Sequence, residues 1–391
     1  MAAKKVLILI GIPNFDFENP HSAVLAYLKT IKKAFEKKGC SVTFSQVQNA
    51  ISNEKANQAS GESFVKSVLK NILKKFPFIY HSLSLKAYFK GQKNLFEQLK
   101  LKERPDLIVE FHTIGSTMGR DLSNHWNCDF SMVFDAPTDE QFFEMHGTKT
   151  LYWKKIGLNE GLSIKAAKRV IVYSGACSKY ISEKYKPSAE ISVLPCVIAK
   201  EKVKRNVSDQ FTIGFIGSFL KWHKVEQLVI AFSEFVKRVP QAKLELIGKG
   251  EEWGNVKQKV MDLELTESVN MPGFVSEQEL IRLKSLFSVA IMPGSNWYGS
   301  PLKLFEYGEA GIPFIAPDTA TVKSIFIEKK HCCFLDDENL IPSIIHELDY
   351  LHDNRIEAES MGLRVQKYVV KKFDSEKYNE KLFVNLNVID I

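Results

Sequence analysis

The stretch Gly299-Ser300-Pro301-Leu302-Lys303-Leu304-Phe305-Glu306-Tyr307-Gly308-Glu309-Ala310-Gly311-Ile312-Pro313 runs straight into Phe314-Ile315-Ala316-Pro317. Ser300 is suited to cap a helix, and Pro301 suits the first helical position, where a missing N–H costs nothing. Gly311 ends the helix and Pro313 keeps it ended. The short apolar run that follows reads as a buried strand. A short helix feeding a fully apolar strand is the signature of a parallel sheet covered by helices.

Working outward, the same alternation recurs. Upstream lie Val289-Ala290-Ile291-Met292-Pro293, Val269-Asn270-Met271, Lys243 to Gly248, a helix over 225–238, and Thr212-Ile213-Gly214-Phe215-Ile216-Gly217. Before a polar stretch at 199–206 the pattern has already run once. Its strands are Val6 to Ile10, Val42 to Phe44, Asp106 to Glu110, Phe130 to Phe134 and Arg169 to Tyr173, with helices at 21–38 and 162–167 and a helical, lysine-rich stretch after residue 44. The sequence therefore predicts an α/β chain of two doubly wound Rossmann-like domains facing across a cleft, at 1–205 and 206–372. Tyr378, Leu382, Phe383 and Leu386 predict an amphipathic helix in 373–391 that crosses back to the first domain.

At 391 residues, two cores are the expectation. The hydrophobic share of 45% and charged share of 25% are those of a globular protein. The six cysteines are scattered without a C-x-x-C pair, which points to reduced thiols and a cytoplasmic setting. The apolar run after Lys4-Lys5 is too short for a signal peptide, and no stretch reaches transmembrane length. The net charge of +7 suits a phosphorylated substrate, an acidic membrane or nucleic acid. No nucleic-acid-binding motif accompanies it.

Ligands of doubly wound sheets bind outside the carboxyl ends of the strands. In the second domain those ends carry Gly217-Ser218-Phe219-Leu220-Lys221-Trp222-His223-Lys224, then Gly248-Lys249-Gly250, then Gly273-Phe274-Val275, then the opening stretch. Glycine there lets a backbone approach a ligand closely. Lys221, His223, Lys224 and Lys303 offer positive charge, and a helix starting at Ser300 offers N–H groups. Glu306 falls one turn behind Lys303. A phosphate at Lys303 and a sugar hydroxyl at Glu306 describe a nucleotide-sugar.

On these residues, 212–330 resembles the donor-binding domain of glycosyltransferase family 4, the group 1 retaining enzymes of GT-B fold. The resemblance implies a retaining glycosyltransferase that moves a hexosyl unit from a UDP- or GDP-sugar to an acceptor hydroxyl. It implies donor contacts from Gly217, Ser218, Lys221, His223, Gly248, Gly250, Phe274, Val275, Ser300, Pro301, Leu302, Lys303 and Glu306, the last on the ribose. Two positions depart from the family pattern. Tyr298 stands where a first Glu is common, and Ser218 where Arg often follows the glycine.

The acceptor half offers Asn14 and His21 after the first strand, Glu110 and His112 at a middle strand, and Asp135 before Pro137. The resemblance places Asp135 where the family keeps a polar residue at the reaction centre, so Asp135, His21 and Lys303 are the expected catalytic residues. No D-x-D triplet occurs, and Asp336-Asp337-Glu338 reads as a solvated loop, so neither a cofactor nor a metal is expected. Lys66, Lys70 and Lys74 beside Val65, Val68, Leu69, Ile72, Leu73 and Phe76 suit a core-facing helix or a peripheral membrane contact through 64–90, with a glycan, lipid-linked or small-molecule acceptor of polysaccharide synthesis. A nucleotide-sugar 2-epimerase and a non-catalytic nucleotide-sugar binder stay open as alternatives.

Overall fold

The computed structural model describes residues 4–11, 23–47, 72–195, 205–206, 209–373 and 375–386. The chain divides into two compact units, Met1–Pro195 with Asn379–Ile391, and Cys196–Tyr378. The boundaries thus fall at 195/196 and 378/379, where the sequence suggested 205/206 and 372/373. Both units are α/β and Rossmann-like.

The first unit holds strands β1 (Lys5–Ile10), β2 (Ser41–Gln46), β3 (Leu107–Phe111), β4 (Asp129–Phe134), β5 (Arg169–Val172) and β6 (Glu190–Val193). They form one sheet in the order β2-β1-β3-β4-β5-β6, every pair parallel. The final helix, Ser375–Asn385, closes this unit: Phe383 stacks edge-on against Phe35 at 5.0 Å, and Ser192 Oγ donates to Asn385 Oδ1 at 2.5 Å.

The second unit holds β7 (Thr212–Ile216), β8 (Lys243–Ile247), β9 (Val269–Gly273), β10 (Val289–Ile291), β11 (Phe314–Pro317) and β12 (Cys333–Leu335), in the order β12-β11-β10-β7-β8-β9, again all parallel. Its central strands β10 and β11 are apolar on both faces because helices cover both. Val289, Ile291 and Ile315 enter one core cluster, while Ala290, Met292, Phe314 and Ala316 enter the other. At Gly214 a Cβ would overlap the Phe287 ring, so glycine lets that aromatic lie flat on the sheet. The strand order reverses between β7 and β10. That is the point where the carboxyl ends of a doubly wound sheet leave an opening for ligand.

Candidate functional site

The reversal point brings the turn after β7 against the segment after β10. Gly217 has φ +154°, and a Cβ there would overlap the Lys303 side chain at Cε. Only glycine leaves room for the lysine to lie across this turn. The neighbouring turns interlock with it. Gly217 N donates to the Ile247 carbonyl and Gly248 N to the Gly273 carbonyl, each at 2.9 Å, while Phe219 N donates to the Lys249 carbonyl at 3.1 Å. A Cβ on Gly248 would strike the Gly217 carbonyl, and one on Gly250 the backbone of Phe219. Phe274, at the end of β9, is exposed, and Val275 is partly buried against the core.

His223 is buried, and its Nδ1 lies 2.5 Å from the Ser218 carbonyl. A carbonyl only accepts, so Nδ1 carries the proton and Nε2 keeps its lone pair. That lone pair faces Lys303 Nζ at 3.3 Å. Burial first, and the Lys303 ammonium second, pull the imidazole down to about 3, against the pull of the Ser218 carbonyl. His223 is therefore neutral. It accepts from the ammonium, so in this geometry Lys303 and not His223 carries the positive charge. Burial also pulls Lys303 down to about 8, opposed by the Glu306 carboxylate. Lys224 joins the Asp337 carboxylate, so it too is no free cation for a ligand. Lys221 is exposed on the turn Lys221–His223.

The helix after β10 starts one residue later than its sequence suggested. It spans Leu302–Glu309 with Pro301 at its N-cap, and no side chain caps it. Ser300 is displaced from the capping role because the Pro301 carbonyl itself closes the first turn, accepting from Leu304 N at 2.9 Å. The Ser300 hydroxyl is left buried with no hydrogen-bond partner. A buried, unpaired hydroxyl costs about 1–3 kcal/mol until something pairs with it. Tyr298 is 2% exposed, and its hydroxyl accepts from Asn296 Nδ2 at 2.8 Å. It serves the core at the position where a first Glu was sought.

In the first unit, Asp135 follows β4 and is exposed. Crowding by protein pushes its carboxyl up to about 6, opposed first by a hydrogen bond from its own backbone N–H and then by the nearby His112. Glu110 and His112 lie beneath that edge, 0% and 3% exposed. His112 Nδ1 is 3.9 Å from Glu110 and Nε2 is 3.7 Å from Glu160, separations of ion pairs and too long for hydrogen bonds. Burial works against a charged imidazole here, but the two carboxylates outweigh it and push His112 up to about 9. Each carboxylate also holds the start of a helix. Glu110 accepts from Gly119 N at 2.8 Å, and Glu160 accepts from Thr138 N at 2.8 Å and Thr138 Oγ1 at 2.6 Å. Tyr185 donates to the other Glu160 oxygen at 2.6 Å. The trio braces the loops of this edge from below and is not itself a surface for an acceptor. Asn14 and His21 lie outside the described residues.

Residues 198–368 match the family model described as glycosyl transferases group 1. This segment is similar to the group 1 glycosyltransferases. An uncharacterized glycosyltransferase of Haemophilus influenzae is 24% identical over 197 residues, 50% of this chain and 55% of that one, so the chain spans about half the length of this curated relative. Among solved structures, HepE from Anabaena in complex with UDP aligns with TM-score 0.68 at 13% identity, covering 98% of this chain and 100% of that one. Sucrose-phosphate synthase from Thermosynechococcus elongatus aligns with TM-score 0.69 at 14% identity, again over 98% and 100%. These structures share the GT-B architecture of two Rossmann-like domains.

Residues 198–368 contain every turn that the sequence put forward for the donor, and the fold joins Gly217, His223, Gly248, Gly250 and Lys303 in one interlocked edge. Glu160 and Thr138 in the first unit escaped the sequence reading. Glu160 sits inside the helix Trp153–Ala166 among apolar residues, and a buried Glu in that setting was the one available signal. Among the described residues no group of three His, Cys, Asp or Glu side chains is arranged to hold a metal, and no helix is long and apolar enough to cross a membrane.

Proposed function

We propose that this chain is a retaining glycosyltransferase that moves a hexosyl unit from a UDP- or GDP-sugar to an acceptor hydroxyl. The observation that carries the reading is Lys303 laid across Gly217, with a neutral imidazole behind it and the unpaired Ser300 hydroxyl at the start of the same helix. In this reading the diphosphate takes the Lys303 ammonium, the Ser300 hydroxyl and the first-turn N–H groups, and Glu306 holds the ribose. As the sugar leaves, charge grows on the β-phosphate, where a preorganised ammonium and helix start stabilise it with no metal required. The complex of HepE with UDP supports a uridine donor. Asp135 orients the acceptor hydroxyl. The exposed Ile72, Phe76, Phe78, Ile79 and Leu83, beside Lys74, Lys75, Lys86 and Lys90, form the face we assign to an anionic membrane. Residues 64–71 of the lysine-rich stretch lie outside the described residues.

The test is a thermal-shift series with UDP, GDP and ADP on the wild type, Lys303→Ala and Glu306→Ala. UDP or GDP raises the unfolding midpoint of the wild type only. Nucleotide release that requires an added acceptor identifies transfer. Equal shifts in all three proteins would defeat the proposal.

A further inference from the structure

One helix of the first unit reaches both loops of its carboxyl edge. From helix Trp153–Ala166, Asn159 Nδ2 donates to the Gly115 carbonyl at 2.8 Å and Ser163 Oγ to the Ser116 carbonyl at 2.9 Å, which holds the loop after β3. Glu160, between them, takes Thr138 N and Thr138 Oγ1 on its Oε2 and so holds the loop after β4. Phe134, Ala136, Pro137 and Thr138 are buried, and Asp135 is the exposed residue among them. The loop is thus fixed on both sides of a single exposed carboxylate.

His112 joins the two loops. Its backbone N–H donates to the Val133 carbonyl at 2.9 Å, and its ring lies nearly parallel to that of Phe134, with centroids 6.1 Å apart. The imidazole therefore sits beside the residue that precedes Asp135. Its Nε2 faces the same Glu160 oxygen that holds Thr138. Its Nδ1 faces Glu110, whose other oxygen holds Gly119 N. A Cβ at Gly119 would overlap that carboxylate, so only glycine brings this helix start onto Glu110.

Asp135 is faced by His112 from the end of β3, by Glu160 from helix Trp153–Ala166 and by Cys177 from the start of helix Gly175–Tyr185. Burial pushes the Cys177 thiol up to about 11, with Glu140 adding to the push, so the thiol is neutral. Burial and the Glu160 carboxylate push the Tyr180 and Tyr185 hydroxyls up as well, and they too are neutral. The charge balance at Asp135 is therefore struck between one imidazolium and one carboxylate.

We propose that His112 is a positioning residue for Asp135: its imidazolium fastens Glu160 beneath the Asp135 loop and keeps the Asp135 carboxylate ionised for an acceptor hydroxyl. The word acceptor rests on the transferase reading, but the coupling of the two side chains does not. Glu160 has three donors besides His112, namely Thr138 N, Thr138 Oγ1 and the Tyr185 hydroxyl, so it stays ionised when the imidazole is removed. His112→Gln then leaves Asp135 beside an uncompensated anion. Glu160→Gln leaves it beside a cation that Glu110 still keeps charged.

The experiment is an NMR titration of the full chain, from about pH 4 to about pH 10, with isotope-labelled aspartate carboxyls and histidine rings and no substrate. Loss of a signal in Asp135→Asn identifies the Asp135 carboxyl, and loss of a ring signal in His112→Gln identifies His112. His112→Gln raises the Asp135 midpoint and Glu160→Gln lowers it, each by at least about half a pH unit. Asp135→Asn, a change at an exposed residue, lowers the His112 midpoint, and this decides the matter if a buried variant fails to fold. A loop merely loosened by mutation would move Asp135 in the same direction in both variants. That result, or midpoints unmoved in the folded variants, overturns the inference. In a transfer assay the acid limb of kcat follows the Asp135 midpoint. Titrations that move as stated in a chain that transfers nothing to any hydroxyl would sink the transferase reading and leave this coupling standing.

Discussion

Lys303 and His223 divide one task. The lysine supplies charge, and the histidine supplies a lone pair that holds the ammonium over Gly217 at 3.3 Å. Lys303→Ala removes a charge-assisted contact worth about 1.5–3 kcal/mol, so UDP affinity falls by roughly 10- to 150-fold. His223→Leu keeps the charge but frees the lysine, and calorimetry should show a smaller loss, on the order of tenfold. The pH dependence has a definite sign. Lys303 titrates at about 8 without ligand, and a bound diphosphate favours its charged form, so UDP affinity falls as pH rises above 8. Lys303→Arg, whose charge persists, should flatten that fall. His112 behaves oppositely in kind, as a stability group. Its folded value near 9 lies above the usual 6.5, so its contribution is complete below pH 6.5 and is lost as pH climbs through 9. Thermal unfolding from pH 6 to 9.5 should show that decline, and His112→Gln should remove the slope while lowering stability at pH 6.

At the scale of turns and helices, two glycines that look alike in sequence carry different loads. A Cβ at Gly217 meets the end of a flexible lysine, whereas one at Gly248 meets the Gly217 backbone carbonyl. Gly217→Ala should therefore displace Lys303, costing UDP affinity at least about tenfold, and its φ of +154° adds backbone strain that lowers the unfolding midpoint as well. Gly248→Ala should deform the edge itself and cost about 1–3 kcal/mol in denaturant titration, as well as affinity. The same contrast shows what was legible. Buried parallel strands announce themselves as apolar runs, so ten of the twelve described strands and the helix Val225–Arg238 are plain in the sequence, and β10 was read only two residues too long. Two of the four edge strands escape: β6 has no buried residue, and β12 spans only Cys333–Leu335. Helix starts escape too. Ser300 has every attribute of a cap, yet backbone geometry gave the position to Pro301. A neutral His223 is equally invisible, since its charge state depends first on its burial and then on a lysine 80 positions away.

At the scale of the whole molecule, the last helix from Asn379 onward belongs to the unit in which the chain began. Leu382, Phe383 and Leu386 are 1%, 2% and 1% exposed, and Phe383 packs on Phe35 of the first helix, Ala23–Lys37. Deleting a buried Leu or Phe side chain typically costs about 2–5 kcal/mol. Losing three at once approaches the entire stability of a domain, which is about 5–15 kcal/mol. Ending the chain after Tyr378 should therefore lower or abolish the unfolding transition of the first unit alone. The second unit keeps its two core clusters and all of its site residues, so UDP should still raise its transition by the wild-type amount. Scanning calorimetry with and without UDP reads both effects in one experiment. A truncated chain whose two transitions fall together would mean that the helix stabilises both sheets, and the division of the fold at 378/379 would have to be redrawn.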